Sequence, residues 1–150
     1  MRHPYVVLAL FLILTVGGGS AIGIATAPGD WYAGLSKAWF NPPSWVFAPA
    51  WTILYLLIGI AGWRVWHAGE LQASRLWWLQ IGLNFLWSPV FFVLHWTGAA
   101  LLVIMALLAT IAGFIAFTWR HDRPAALLFL PYGAWVAYAL LLNGAIWWLN

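Results

Sequence analysis

Charged residues interrupt this chain so rarely that five apolar stretches, 5–26, 44–66, 74–94, 98–119 and 124–149, are left between them. Each is about 20 residues or slightly longer, enough for an α-helix to cross a ~30 Å hydrocarbon layer. A chain in lipid must satisfy its own backbone polar groups, which leaves a helix bundle or a closed barrel. Barrel strands alternate polar and apolar residues over segments of about 10 residues. The runs Leu101–Ile104 and Leu127–Leu130 do not alternate. The sequence therefore predicts an all-α, polytopic membrane protein: one domain over residues 1–150, with five transmembrane helices. Composition agrees, because 65% of residues are apolar and only 6% are charged, against about a quarter charged in soluble domains.

Cysteine is absent, which excludes disulfides, thiolate nucleophiles and Cys-ligated metal. The net charge of +3 comes from scattered basic residues, so no nucleic-acid-binding patch forms and nucleic acid is not expected as a partner. The basic residues do predict an orientation. Arg2, Arg64, Arg75, Arg120 and Arg123 fall at the amino terminus and in or just beside the second and fourth connections, on one side of the bundle. Lys37 alone falls on the other. This asymmetry predicts a cytoplasmic amino terminus and an outward first loop. A bacterial inner membrane is the default location for such spans, with the outer membrane left open. Met1 to Ala27 also has the layout of a signal peptide, ending in Ala25-Thr26-Ala27. Its apolar run is longer than a usual signal-peptide core, so it is read as the first span.

One connection is long. Ala27 to Pro43 contains Trp31, Tyr32, Leu35, Trp39 and Phe40, whose apolar surface is costly to leave in water. Asn41-Pro42-Pro43 stiffens it. A folded lid over one end of the bundle is expected, with an aromatic loop lying among lipid headgroups as the alternative. Pro49, Pro89 and Pro131 are expected inside the second, third and fifth helices. Each removes a backbone donor, either as a plain kink or to splay the bundle around a pocket.

Helical spacing gathers polar and aromatic residues into three stripes. Trp51 and Tyr55 form the first; Asn84, Trp87 or Ser88, and Phe91 the second; Trp135, Ala139, and Leu142 or Asn143 the third. Asn84 and Asn143 fall at membrane depth and are expected to face protein, as bonds between helices, as ligand contacts, or as both. Fourteen tryptophans exceed what interfacial anchoring of a small bundle requires. The surplus points to an aromatic-lined site for a large, flat, apolar ligand. Gly19 and Gly23, and the row Ala106, Ala109, Gly113 and Ala116, permit close helix approach within one chain or between two.

Catalytic groups are sparse. Asp30, Glu70 and Asp122 map to connections, and no carboxylate pair, metal-ligand cluster or Ser–His–Asp set can be assembled. No metal is expected. His95 borders the third connection on the lid side, where it would ligate iron, sense pH, or simply sit at the interface.

Trp31-Tyr32-Ala33-Gly34-Leu35 and Lys37, followed by Pro42-Pro43, Trp45-Val46-Phe47, Pro49, Trp51 and Leu54-Tyr55, resemble the signature of the translocator protein family. These are the tryptophan-rich sensory proteins, related to the peripheral benzodiazepine receptor. Leu83-Asn84, Trp87, Pro89 and Phe91-Phe92 resemble the third-helix motif of that family. Pro131-Tyr132, Ala134-Trp135, Ala139 and Leu142-Asn143 resemble its fifth-helix motif. The resemblance runs over nearly the whole chain, in order and with matching spacing, and is to a bacterial-type member.

The resemblance implies a five-helix bundle, commonly a homodimer, that binds porphyrins such as protoporphyrin IX and needs no obligatory cofactor. It also implies binding of sterols and of synthetic isoquinoline carboxamides. By motif position the ligand contacts would be Tyr32, Pro42, Trp51, Tyr55, Ser88, Phe91, Trp135, Ala139 and Leu142, and Asn84 joins them from its stripe. The implied roles are a tetrapyrrole sensor, carrier or scavenger; a light-dependent porphyrin-degrading enzyme using Trp51 and Trp135; or a porphyrin or sterol transporter. No span carries a charged residue able to couple transport to an ion gradient. The sterol-recognition pattern of animal members is incomplete here. Gly144 follows Leu142-Asn143, and no tyrosine or basic residue comes after it.

Overall fold

In the computed structural model, which describes residues 3–150, the five apolar stretches are helices. They are α1 (Pro4–Ala25), α2 (Ser44–His67), α3 (Leu71–Val93), α4 (Thr97–His121) and α5 (Arg123–Leu149), each long and apolar enough to cross a membrane. Among the described residues there is no strand. The chain is an all-α, multi-pass integral membrane protein. Arg2, counted above on the basic side, lies outside the described residues.

Local chemistry sets the helix ends. Pro4 and Pro124 stand in the first turns of α1 and α5, where a missing N–H has no helical partner to lose. α2 stops at Gly69, whose φ of 73° is left-handed. There the N–H of Glu70 donates to Val65 O at 3.0 Å and that of Gly69 to Trp66 O at 3.1 Å, a paired helix stop that reverses the chain into α3. Asp122 alone separates α4 from α5. The Arg64 Nη2 donates to its carboxylate at 2.9 Å, which joins the α2–α3 and α4–α5 turns at one end of the bundle.

α4 packs most extensively on α5 and α3, α5 packs on α2, and α2 on α1, so the ring runs α1–α2–α5–α4–α3. Its centre holds Ile58, Trp77, Phe114, Phe129 and Tyr132, all buried, while Ile24, Leu102 and Trp148 face outward. Lipid tails are as apolar as leucine, so close packing and hydrogen bonds, not exclusion from water, hold such helices together. Trp77 uses both: its indole N–H donates to Ile58 O at 2.9 Å, and its ring lies against Gly62. A Cβ at Gly62 would stand 2.5–2.7 Å from three atoms of that ring. Gly19 likewise leaves room for the Tyr55 ring, whereas Gly23 meets nothing within 4 Å. Gly19 thus serves packing within the chain. In the α4 row, Gly113 faces Leu76 of α3, while Ala106, Ala109 and Ala116 are exposed.

The prolines divide. Pro49 lies near the start of α2 and not in its α-helical interior as expected. A 3-10 turn, Ser44–Val46, precedes it, so it falls in the first turn of the α-helical part, Phe47–His67, where its missing donor breaks nothing. Pro89 opens a π-helical turn, Pro89–Val93, and Pro131 lies inside an otherwise continuous α5. A second π turn, Ile13–Gly17, has no proline to announce it. Within it the Thr15 hydroxyl crosses to Tyr55 O at 2.8 Å.

Gly62→Ala should lower stability by about 1–3 kcal/mol, because the hydrogen-bonded indole cannot step aside. Thermal unfolding in detergent, beside Gly23→Ala as an unaffected control, measures it.

Candidate functional site

The lid is folded. Its single helical turn, Asp30–Ala33, carries Trp31 and Tyr32 inward. With Leu35 they pack against Val90, Phe91, Ala100 and Ile146 at the ends of α3, α4 and α5. Tyr32 meets Phe92 edge to face, with ring centroids 5.4 Å apart, and Phe91 at 6.3 Å. Trp31 stacks on His95 at 3.9 Å with 11° between planes. His95, which has a left-handed φ of 59°, is exposed and is held by that stack. Among the described residues no group of three His, Asp or Glu side chains could hold a metal ion.

One further contact braces the lid internally, and two tie it to α5 and the residue after it. The Lys37 ammonium donates to Tyr32 O at 2.7 Å and Leu35 O at 3.2 Å, and lies 4.4 Å from the centre of the Tyr32 ring. Asn150 pairs both ways with the Ser36 backbone, accepting at 3.1 Å and donating at 2.9 Å. The Tyr138 hydroxyl donates to Phe40 O. Burial pushes the Tyr32 phenol above its usual range, as expected for a ring packed under the lid.

Below the lid, α2, α3 and α5 converge. Trp51 stacks on Tyr55 at 5.4 Å and meets Trp135 at 6.4 Å, nearly perpendicular. The Tyr55 hydroxyl donates to Asn84 Oδ1 at 2.7 Å. Trp87 Nε1 donates to Asn143 Oδ1 at 2.9 Å, and Asn143 Nδ2 to Thr97 O at 3.0 Å, which ties α3, α5 and α4 together. Both asparagines are buried, Asn84 at 6% exposure and Asn143 at 1%.

The predicted contacts thus fall into two aromatic groups. Trp51, Tyr55, Trp135 and Ala139 pack against the main core, while Tyr32 packs beside Phe91 in a second cluster under the lid. Trp87 borders both. Leu142 is buried on α5, and Pro42 is half-buried beside Asn41. The Ser88 hydroxyl pairs with that of Thr26, at the end of α1, at 2.6 Å. Two buried polar atoms near this region, Trp135 Nε1 and Asn41 Oδ1, have no hydrogen-bond partner among the described residues. A surface groove between α2 and α5, about 390 Å³ and lined by Leu57, Ile60, Arg64, Leu127 and Pro131, contains none of the predicted contacts.

Sequence reasoning passed over two members of the site. Gln80 is fully buried and accepts at 2.8 Å from the hydroxyl of Tyr132, also fully buried. Tyr132 in turn accepts from Asn84 Nδ2 at 2.7 Å. The signal was present: Gln80 stands four residues before Asn84, on the same helical face and inside a span.

The sequence that builds this aromatic lid and the polar-lined cluster beneath it is matched by those of known proteins. Residues 9–149 match the model of the TspO/MBR family. The chain is 41% identical over 147 residues to the tryptophan-rich protein TspO of Archaeoglobus fulgidus, covering 96% of this chain and 95% of that one. It is 36% identical to protein CrtK of Rhodobacter capsulatus, covering 95% and 94%. It is 34% identical to the translocator protein of Ovis aries, covering 98% and 92%. The chain belongs to the TspO/MBR family.

Asn143→Ala should destabilise the protein by about 1–3 kcal/mol, because it strands the Trp87 indole N–H in the membrane interior. Thermal unfolding beside Trp87→Phe/Asn143→Ala checks it: the double variant removes the stranded donor and should recover part of the loss.

Proposed function

We propose that this protein binds a tetrapyrrole of the protoporphyrin IX type under its lid and acts as a sensor, carrier or scavenger. Family membership supports a tetrapyrrole-related sensory or translocating role in a membrane, in keeping with relatives named tryptophan-rich sensory protein and translocator protein. One observation carries the reading further. Trp51, Tyr55 and Trp135 form an aromatic cluster between α2 and α5, below a lid that closes on Phe91, and Trp135 leaves a buried indole N–H unpartnered there. Flat π-faces suit stacking on a macrocycle. The free N–H suits an acceptor on its edge, and buried donors are rarely left unpaired. Tyr32, Pro42, Ser88, Ala139, Leu142 and Asn84 complete the proposed contact set.

Isoquinoline carboxamides, also flat and apolar, would enter the same site. The protein would work as a homodimer in a bacterial inner membrane. Its amino terminus would be cytoplasmic, since Arg64, Arg75, Arg120 and Arg123 gather at the end opposite the lid.

Titration of detergent-purified protein with protoporphyrin IX, followed by tryptophan quenching, should saturate at micromolar concentration. Ala139→Thr fills space beside Trp135, and Tyr32→Ala unpacks the lid. Each should weaken binding by about tenfold, or ~1.4 kcal/mol. Unsaturable quenching, or unchanged affinity in both variants, rejects the site. A light-dependent degradative role is the second reading, and the direct Trp51–Trp135 ring contact favours it. If it holds, bound protoporphyrin should bleach under illumination faster in the wild type than in Trp51→Phe/Trp135→Phe.

A further inference from the structure

Four side chains from three helices make one continuous hydrogen-bonded chain through the middle of the bundle. Tyr55 on α2 donates to Asn84 Oδ1 on α3 at 2.7 Å; Asn84 Nδ2 donates to the Tyr132 hydroxyl on α5 at 2.7 Å; that hydroxyl donates to Gln80 Oε1, back on α3, at 2.8 Å. Gln80 and Tyr132 are each 0% exposed. The ring of Tyr55 stacks on Trp51, so one end of the chain meets the proposed ligand site. The other end is Gln80 Nε2, a buried donor with no partner among the described residues.

Such a chain has a direction. A carboxamide accepts at one end and donates at the other, and a phenol can do either. Here every proton points from Tyr55 toward Gln80, so Tyr55 has spent its proton on Asn84 and can offer a ligand only a lone pair. Turning both amides over reverses all three bonds without moving a ring. Gln80 Nε2 would then donate to Tyr132, Tyr132 to Asn84 and Asn84 to Tyr55, and the Tyr55 proton would be free for a ligand. The unpartnered atom would become Gln80 Oε1, and buried carbonyl oxygens are left under-satisfied more often than buried N–H groups. Neither order carries a clear penalty over the other, so the groups at the two ends decide between them.

We propose that Gln80 is a positioning residue for ligand recognition: through Tyr132 and Asn84 it sets whether the Tyr55 hydroxyl meets a ligand as an acceptor or as a donor. The proposal rests on the reading that ligands bind against Trp51 and Tyr55. Gln80 touches no ligand in this scheme. In the order described its amide takes the Tyr132 proton, and turned over it would give one instead. Gln80→Met removes that acceptor while roughly keeping length and volume. Tyr132 then turns its proton to Asn84, the amide of Asn84 reverses, and Tyr55 becomes a donor.

The test combines a ligand-free readout with an affinity. With tyrosine 13C-labelled at Cζ, the five tyrosines can be assigned by Tyr→Phe substitution, and the shift reports whether each hydroxyl donates or accepts. Gln80→Met should move the Tyr55 resonance although the two side chains share no bond. Tyr132→Phe keeps the ring and cuts the chain, should also move it, and serves where Gln80→Met does not fold. The affinity probe is a tertiary isoquinoline carboxamide, which accepts hydrogen bonds and donates none. Gln80→Met should bind it about threefold more tightly, the size of an average hydrogen bond between membrane helices. In a Tyr55→Phe background the same substitution should change nothing. A Tyr55 resonance unmoved by both Gln80→Met and Tyr132→Phe overturns the proposal. An affinity change that persists without the Tyr55 hydroxyl also overturns it and leaves Gln80 a packing residue. A moved resonance with no carboxamide binding in the wild type rejects the ligand site and with it the recognition role, while the chain's control of Tyr55 stands.

Discussion

Hydrocarbon offers no partner to a stray donor or acceptor, so most polar atoms inside this bundle find theirs on another part of the chain. Most of the tertiary arrangement follows from that demand. The Trp77 indole finds the Ile58 carbonyl on α2, and Trp87 finds Asn143 on α5. Thr15 crosses from α1 to Tyr55 O. Each bond fixes the rotation and height of two helices at once, which apolar contact with interchangeable lipid and leucine does not. Glycines supply the complementary condition, because Gly19 and Gly62 let aromatic rings lie against backbone so that the polar tips reach their partners.

The same economy of partners shapes the lid. A loop from Ala27 to Pro43 has few regular backbone hydrogen bonds, yet Lys37, Asn150 and Tyr138 cover several of its carbonyls. Its apolar side chains then sit where α3, α4 and α5 end together. The closure is made of small, separable contacts, in contrast to the continuous packing of α3, α4 and α5 beneath it.

How far this was legible in the sequence depended on range. Span number and helical character follow from runs of apolar residues, a local property, and these appear directly. The aromatic and amide stripes were legible because spacing of three or four residues is also local. Pro49 was misread because a 3-10 turn moved the start of the regular helix to just before it. Ser88 shares the face of Trp87 and Phe91 by spacing, but its pairing with Thr26 depends on where α1 ends, which spacing on α3 does not encode. The hydroxyl of Tyr132 and the amide of Gln80 went unremarked for a similar reason. Tyr132 stands on another helix from Gln80 and Asn84, and the three become a chain only when α3 and α5 are set side by side.

The Arg64–Asp122 pair gives the molecule two mechanically unequal ends. At one end, two tight turns are riveted to each other by charge, and the chain between α4 and α5 is a single residue long. At the other, α1 and α2 are separated by a loop held only by side-chain clips. The two ends of one bundle are therefore closed by different means, a charged clamp between short turns and an aromatic cover. Lengthwise, the protein resembles a quiver with a stitched base and a fitted cap.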